Sequence, residues 1–383
     1  MEQWKADFKL SEEKKTLRKG FSTGACATAA AKAAWFLRLG NEVEKTINVL
    51  FPDDIERPMN LEFSKASGEF FEAGIIKDAG DDPDVTDKSM ISVKLSEINE
   101  ADIRSEDYKL EHKKGVLILR GGEGVGLSTK PGLEVPPGKW AINPGPRKMI
   151  LNNLSEEGFG QKDETVLVEI SVANGSETAK KTLNPTLGIV GGISILGNTG
   201  IVEPHSHAAY IETVGIMLKH AKSEGLNSVV LCTGAATQKA SAKEFPELPD
   251  FAFIRIGDFI ADALEECEKY GFKRIIVSCM MGKLFKYSMG YEYTHAHTVK
   301  LEPVDIIRFL DKAGVENELK QKAAESLTIR GAMEILNEND FKAVLELMGR
   351  EALKNIKNWS GKANTQVLCF SADKKLLSKW KSD

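Results

Sequence analysis

Asp258 follows an apolar run, Phe251–Ile256, and a glycine, and stands where a helical pattern begins. A carboxylate at a strand end can accept hydrogen bonds from the two hydroxyls of a ribose. Capping the helix explains the same residue equally well. Lys283 and Lys286 follow another apolar run, Arg274–Cys279, at a spacing that puts both on one helix face. With Arg18, Lys130, Lys139, Arg147 and Lys148 they are the candidates to clamp carboxylates or phosphates. Two His-x-His pairs, His205/His207 and His295/His297, have the residue types of zinc ligands, but residues two apart share a face only in a strand. No metal site is expected, and His295 is kept as the candidate catalytic group, able to handle a proton or orient a ligand. Cys26 falls in the first turn of a helix, where a thiol pKa drops. No His or Asp partner is identifiable, so a small packed residue is its expected role.

The glycines form a second set. The stretch Pro185-Thr-Leu-Gly-Ile-Val-Gly-Gly-Ile-Ser-Ile-Leu-Gly-Asn-Thr-Gly-Ile-Val-Glu-Pro204 threads five of them through Ile, Val and Leu. Leu187, Ile189, Ile193 and Ile195 alternate as in a buried strand, and Asn198-Thr-Gly200 is turn chemistry ahead of a helix that starts near Ser206. A strand, a glycine turn and a helix start make a place where a small molecule can lie against main chain. Gly121-Gly-Glu-Gly-Val-Gly126 matches a dinucleotide fingerprint only superficially, because prolines stand where the following helix should begin. It reads as a long ordered loop. Ser22 or Thr23 can cap a helix built mostly of alanine, whose N-terminus is a natural anion site. In Lys77-Asp-Ala-Gly-Asp-Asp-Pro-Asp-Val-Thr86 four aspartates fall within seven positions, and need a cation, a backbone nest or solvent to offset their repulsion.

These residues must be positioned by regular elements. Runs at 46–51, 59–65, 70–77, 89–95, 115–120 and 165–172 read as strands, and 144–150 opens a helix with proline in its first turn. From Pro185 the rhythm becomes apolar strands (227–232, 251–256, 274–279) alternating with helices, which implies a parallel sheet covered on both faces. Ligands of such sheets bind at the carboxyl ends of strands. The expected ends are Gly197–Gly200, Thr233–Ala236, Gly257-Asp258 and Met280–Lys283. Residues 300–358 are mostly helical, 367–370 is a last strand, and the tail is basic. The fold class is therefore α/β. An α+β N-terminal domain, 1–184, precedes a Rossmann-like parallel-sheet α/β domain with a helical C-terminal extension, 185–383.

Composition bounds the partners. The 383 residues, 42% of them hydrophobic and 28% charged, suffice for more than one core. A net charge of −5 speaks against nucleic acid, and no apolar run approaches a membrane span. Five scattered cysteines without CxxC pairs fit a reducing cytoplasm, as does a charged N-terminus lacking a signal-peptide core. Self-association and transient contact with pathway enzymes stay open.

Five blocks taken in order resemble the cobalt-precorrin-5B C(1)-methyltransferase family, the CbiD family of anaerobic cobalamin biosynthesis. They are Gly20-Phe-Ser-Thr-Gly-Ala-Cys-Ala-Thr-Ala-Ala-Ala-Lys-Ala-Ala34, the aspartate loop 77–86, Gly121-Gly-Glu-Gly-Val-Gly-Leu-Ser-Thr-Lys-Pro-Gly-Leu133, Asn143-Pro-Gly-Pro-Arg-Lys-Met-Ile150 and the stretch 185–204. Thr233-Gly234, Gly257-Asp258, Gly282-Lys283 and Thr294-His295 resemble family positions too, whereas His205-Ser-His207 and Ala296-His297 depart from them. The resemblance implies methyl transfer from S-adenosyl-L-methionine to C1 of a cobalt corrinoid, with cobalt present only as part of the substrate. On that reading Gly197, Gly200, Thr233, Gly234, Gly257 and Asp258 are expected to hold the donor. Ser22, Thr23, Lys130, Arg147 and Lys283 are expected to hold the carboxylate-rich acceptor. Two other classes remain open, a non-catalytic corrinoid-binding protein and an ATP-dependent small-molecule kinase whose Mg²⁺ would sit on Asp81 to Asp84.

Overall fold

A computed structural model describes residues 17–68, 70–204, 206–295, 299, 302–326 and 328–382. The chain divides into two compact units. The first comprises the described residues up to Thr129 together with Pro137–Ser206. The second comprises Lys130–Pro136 and the described residues from His207 on.

The first unit is built on a six-stranded sheet, in the order Phe63–Ser67, Phe70–Ile76, Met90–Glu97, Glu164–Val172, Gly115–Gly121, Tyr108–His112. All neighbours are antiparallel except Gly115–Gly121 and Glu164–Val172, which run parallel. The alanine helix, Thr23–Arg38, is buried on every side from Thr23 to Trp35. Alanine makes this possible, since it combines the best helix propensity with the smallest side chain that can still exclude water. Its core neighbours include Ile75, Val93, Leu95, Ile150 and Leu154.

The stretch 185–204 departs from the expected long buried strand. Only Ile189–Val190 and Ile201–Val202 are strands, paired with Leu127–Ser128 and Gly20–Phe21, and Ile193 and Ile195 make single bridges to Val125 and Ile142. Glycines 188, 191, 197 and 200 all take positive φ, which interrupts a strand every few residues. The apolar positions are buried as expected, but in the first unit, so the expected division at 184/185 does not coincide with the edge of the compact units.

In the second unit the sheet order is Phe253–Arg255, Ser228–Cys232, Arg274–Met280, Asn364–Phe370, Leu376–Lys381. The first four strands are parallel and the last is antiparallel. Strand order reverses at Ser228–Cys232, which has the second strand of the series on one side and the third on the other. The basic tail, which follows the run expected as the last strand, supplies a fifth strand. Trp380 anchors it by burying its ring against Gly349 and donating from Nε1 to Glu346 Oε2 at 2.8 Å. Its lysines suit an edge that must not recruit another strand. Four helices, Pro303–Lys312, Asn317–Ala324, Ile329–Ile335 and Glu338–Trp359, complete the unit. No described helix is long and apolar enough to cross a membrane.

Candidate functional site

The reversal of strand order singles out one place. In an open parallel sheet the connections on either side of such a point leave in opposite directions and open a crevice at the strands' carboxyl ends. Here those ends carry Thr233-Gly234 and Met280–Lys283, with Gly257-Asp258 on the adjoining strand. Thr233 N–H donates to Ser278 O at 3.0 Å, which holds the two central strand ends in register. Gly234 begins the helix Ala235–Glu244 with its N–H donating to Thr237 Oγ1 at 3.1 Å, and beyond its chain neighbours nothing lies within 4 Å of where a Cβ on Gly234 would stand. Main chain with free space above it is what close approach by a ligand needs.

Lys283 reaches into this crevice from the helix Met281–Ser288. Its Nζ lies 3.1 Å from Asp258 Oδ1 and also donates to the carbonyls of Gly257 and Thr233. Thr294 Oγ1 donates to the same Oδ1 at 2.9 Å. Burial pushes the Asp258 carboxyl up, but Lys283, Thr294 and nearby His295 outweigh it and hold the group below the ordinary aspartate value. Oδ2 has no hydrogen-bond partner among the described residues. Beside the carboxylate runs a series of aromatic rings. His207 stacks on Phe259 at 4.2 Å, Tyr210 and Tyr293 lie 5.0 and 5.1 Å from Phe259, and His295 lies 6.1 Å from Tyr293. The second unit thus brings together Thr233, Gly234, Gly257, Asp258, Lys283 and His295. Lys130 belongs to the same unit, but it packs over Phe251, 5.4 Å from the ring, with Glu224 3.9 Å away.

The other expected residues sit in the first unit and are largely spent on its packing. Ser22 Oγ caps the alanine helix by accepting from Ala25 N–H at 3.1 Å. Gly24 N–H donates to Leu196 O, and Thr23 Oγ1 accepts from Leu196 N–H at 2.9 Å and donates to Ser194 O at 3.1 Å. Both hydroxyl residues are buried, and the helix start expected to bind an anion is closed by the chain's own carbonyl and hydroxyl. A Cβ on Gly197 would collide with Ser22 Oγ, and one on Gly200 with the Phe51 ring. These glycines let segments of the first unit meet, and they are not part of the parallel sheet's carboxyl end. Arg147 is different. Its guanidinium lies over the Tyr108 ring at 4.0 Å, pairs with no carboxylate among the described residues, and leaves a buried Nε without an acceptor.

The aspartate loop carries its own counter-charges. Buried Lys77 lies 2.7 Å from Asp84, Arg18 pairs with Asp78, and Asp81 Oδ2 accepts from Arg18 N–H at 2.7 Å. That removes residues the kinase reading needed for Mg²⁺. Burial drives the Cys26 thiol up to about 12, the reverse of the drop expected at a helix start, so it stays protonated and inert. His205 and His297 lie outside the described residues. Among the described residues no three or more His, Cys, Asp or Glu side chains are grouped to hold a metal ion.

Residues 10–204 match the family model CbiD, and residues 293–381 match the model CbiD, C-terminal domain. The chain belongs to the CbiD family. A relative from Priestia megaterium named cobalt-precorrin-5B C(1)-methyltransferase is 42% identical over 84% of this chain and 83% of its own length. Another of that name, from Geobacillus sp. (strain WCH70), is 38% identical over 88% of this chain and 89% of its own. A crystal structure of a cobalamin biosynthesis protein (cbiD) from Archaeoglobus fulgidus is 26% identical, covers 70% of this chain and 79% of its own, and superposes with a TM-score of 0.37. Asp258 and Lys283 lie between the two CbiD-matched stretches, whereas Thr294 and His295 fall inside the second. Thr294 was noted in the sequence only as a position resembling the family, and Tyr210 and Phe259 were not singled out as site residues. Thr294 is 36 positions from Asp258, and no periodicity reports a contact of that separation.

Proposed function

We propose that this chain transfers the methyl group of S-adenosyl-L-methionine to C1 of cobalt-precorrin-5B, giving cobalt-precorrin-6A in anaerobic cobalamin biosynthesis. The observation that carries the reading is 42% identity, over 84% of the chain, to a relative that bears this activity in its name. The donor supplies an activated methyl on a positive sulfur. An electron-rich macrocycle carbon takes that methyl while the sulfur keeps the S–C electron pair and leaves as a neutral thioether. Such a displacement asks the protein for alignment rather than for a nucleophile. That agrees with a chain whose five free cysteines are all buried.

The second unit's parallel strands, reversing at Ser228–Cys232, support its reading as a Rossmann-like donor-binding unit. Its crevice suits the donor. Asp258 Oδ2 is directed to the ribose hydroxyls, Gly234 and Gly257 admit the ligand to main chain, and Thr233 lines the turn. Lys283 offsets the Asp258 charge and stays within reach of a donor carboxylate. His295, beside Asp258, orients rather than attacks. For the acceptor, which carries several carboxylate arms, Arg147 is the best-placed cation in the first unit, because Tyr108 holds its plane and no acid among the described residues claims it.

Calorimetric titration with S-adenosylhomocysteine, alone and with a cobalt corrinoid present, tests this reading against ATP–Mg²⁺ as control. Saturable binding of the homocysteine compound and none of ATP is expected. Binding of ATP alone would instead establish the kinase, and corrinoid binding without donor binding the carrier. Two glycine variants separate packing from ligand approach. Gly124 has φ +75, and a Cβ there would collide with Val172 O, so Gly124→Ala should lose at least about 2 kcal/mol of stability in thermal melts. Gly234→Ala meets open space at an extended φ of 179. It should stay within about 1 kcal/mol of the parent while weakening S-adenosylhomocysteine about tenfold.

A further inference from the structure

We infer that Thr294, tethered by Lys286, is the positioning residue that orients Asp258 and fixes its charge for the donor's ribose. The inference rests on the reading of Asp258 as the donor's carboxylate.

The geometry is specific. Thr294 N–H donates to Asp258 O at 3.1 Å, and its hydroxyl donates to Asp258 Oδ1 at 2.9 Å. One residue therefore grips both the main chain and the side chain of Asp258. Oδ1 takes Thr294 and Lys283 together, which fixes the carboxylate plane and leaves Oδ2 for a ligand. Thr294 in turn is held from behind. Lys286 Nζ donates to Thr294 O at 2.7 Å, and the two residues are only 9% and 2% exposed. A lysine buried that far ordinarily seeks a carboxylate. Lys286 spends its ammonium on one main-chain carbonyl, that of the residue touching Asp258, and burial lowers its pKa accordingly. The neighbouring residue locks the same segment, since Tyr293 bridges Phe259 in the backbone and packs on its ring at 5.1 Å. Segment 293–294 is thus a clamp on the Asp258 turn.

The test is titration of the full chain with S-adenosylhomocysteine across pH. Thr294→Val keeps the shape and removes the hydroxyl. It should weaken binding about tenfold, the value of one hydrogen bond to a charged group, and leave cobalt corrinoid binding unchanged. The charged and titratable groups facing Asp258 are Lys283, Lys286 and Tyr287 from the helix Met281–Ser288, His295 beyond the clamp, and Tyr210 from the helix His207–Ser223. All remain in Thr294→Val, so its loss of affinity on acidification should begin at higher pH than in the parent. Thr294→Ser should restore both affinity and pH profile, which a merely structural residue would not require. Lys286→Met provides a second route, expected to reproduce the affinity loss with Thr294 intact. Parental affinity and pH profile in both Thr294→Val and Lys286→Met, with binding lost in Asp258→Ala, would overturn the clamp and leave the donor site standing. Parental binding by Asp258→Ala would overturn the donor site and the clamp with it. Should Thr294→Val fail to fold, Thr294→Ser against Lys286→Met decides the question by the same readouts.

Discussion

Asp258→Asn is expected to weaken S-adenosylhomocysteine binding by at least about 100-fold, because hydrogen bonds from neutral hydroxyls to a carboxylate are each worth about 1.5–3 kcal/mol and two are at stake. The substitution keeps size and planarity, so the change reads charge and acceptor capacity rather than packing. Asp258 is only partly buried, and Lys283 retains the carbonyls of Gly257 and Thr233 as partners, so thermal stability should move little. The pH dependence has a definite sign. Lys283 and Thr294 overcome burial to hold the folded-state carboxyl below its ordinary value. Affinity should therefore be level through neutral pH and fall only on acidification through that lowered pKa. Asp258→Asn should abolish this acid limb. An asparagine variant that binds the homocysteine compound like the parent, with the limb intact, would remove Asp258 from the donor site. Corrinoid affinity serves as the internal control, since Arg147, on the proposed acceptor side, belongs to the first unit.

Much of this arrangement was legible in the residues, and what was not has identifiable physical causes. The runs 227–232, 251–256 and 274–279 are short, apolar and bounded by glycine or helix signals, so strand, turn and helix follow from local chemistry, and the strands 228–232, 253–255 and 274–280 fall on them. The carboxyl-end residues Thr233, Gly257, Asp258 and Lys283 followed from that pattern and do lie together. The stretch 185–204 misled because alternation reports burial and not the partner. Ile189, Ile193 and Ile195 are buried, but by bridges to residues 53 to 68 positions earlier. The strand Tyr108–His112 was missed because its sequence, Tyr-Lys-Leu-Glu-His, alternates too weakly and too briefly. The role of the glycine blocks could not be read at all. A glycine that admits a ligand and one that admits another backbone are the same residue, and only the surroundings of Gly124 and Gly234 separate them. The Thr294–Asp258 clamp is tertiary throughout.

The same limit hid the ion pair expected to matter most for stability. Asp107 and Arg120 attract no notice in the sequence, yet their side chains are 0% and 7% exposed and meet in three hydrogen bonds of 2.7, 3.0 and 3.2 Å. Asp107 Oδ2 also accepts from Arg104 N–H at 2.9 Å, and Oδ1 from Trp140 Nε1 at 3.3 Å, while Arg120 donates to Asp102 O at 2.8 Å. The pair therefore ties loop 102–107 to the strand Gly115–Gly121 and to Trp140. Asp107→Ala leaves a guanidinium buried without its counter-charge, and should cost about 3–5 kcal/mol in denaturant unfolding. Replacing both, Asp107→Leu with Arg120→Met, removes the two desolvation costs as well as the attraction, and should recover most of that loss. A double variant no more stable than the single would mean that the Arg104, Trp140 and Asp102 bonds, and not the pair, hold the loop. Acid supplies an independent check. Burial raises the Asp107 carboxyl, but Arg120 and the Arg104 amide outweigh it and keep the folded-state pKa below the ordinary value of about 3.9. The contribution is thus complete above the unfolded-state pKa and disappears as pH falls through the folded-state one, so the double variant should lose less stability than the parent between neutral pH and that acid range. Because Trp140 also receives the Tyr108 hydroxyl on its carbonyl at 3.0 Å, and Tyr108 carries the Arg147 guanidinium, loosening this pair should weaken corrinoid carboxylate binding as well as the fold.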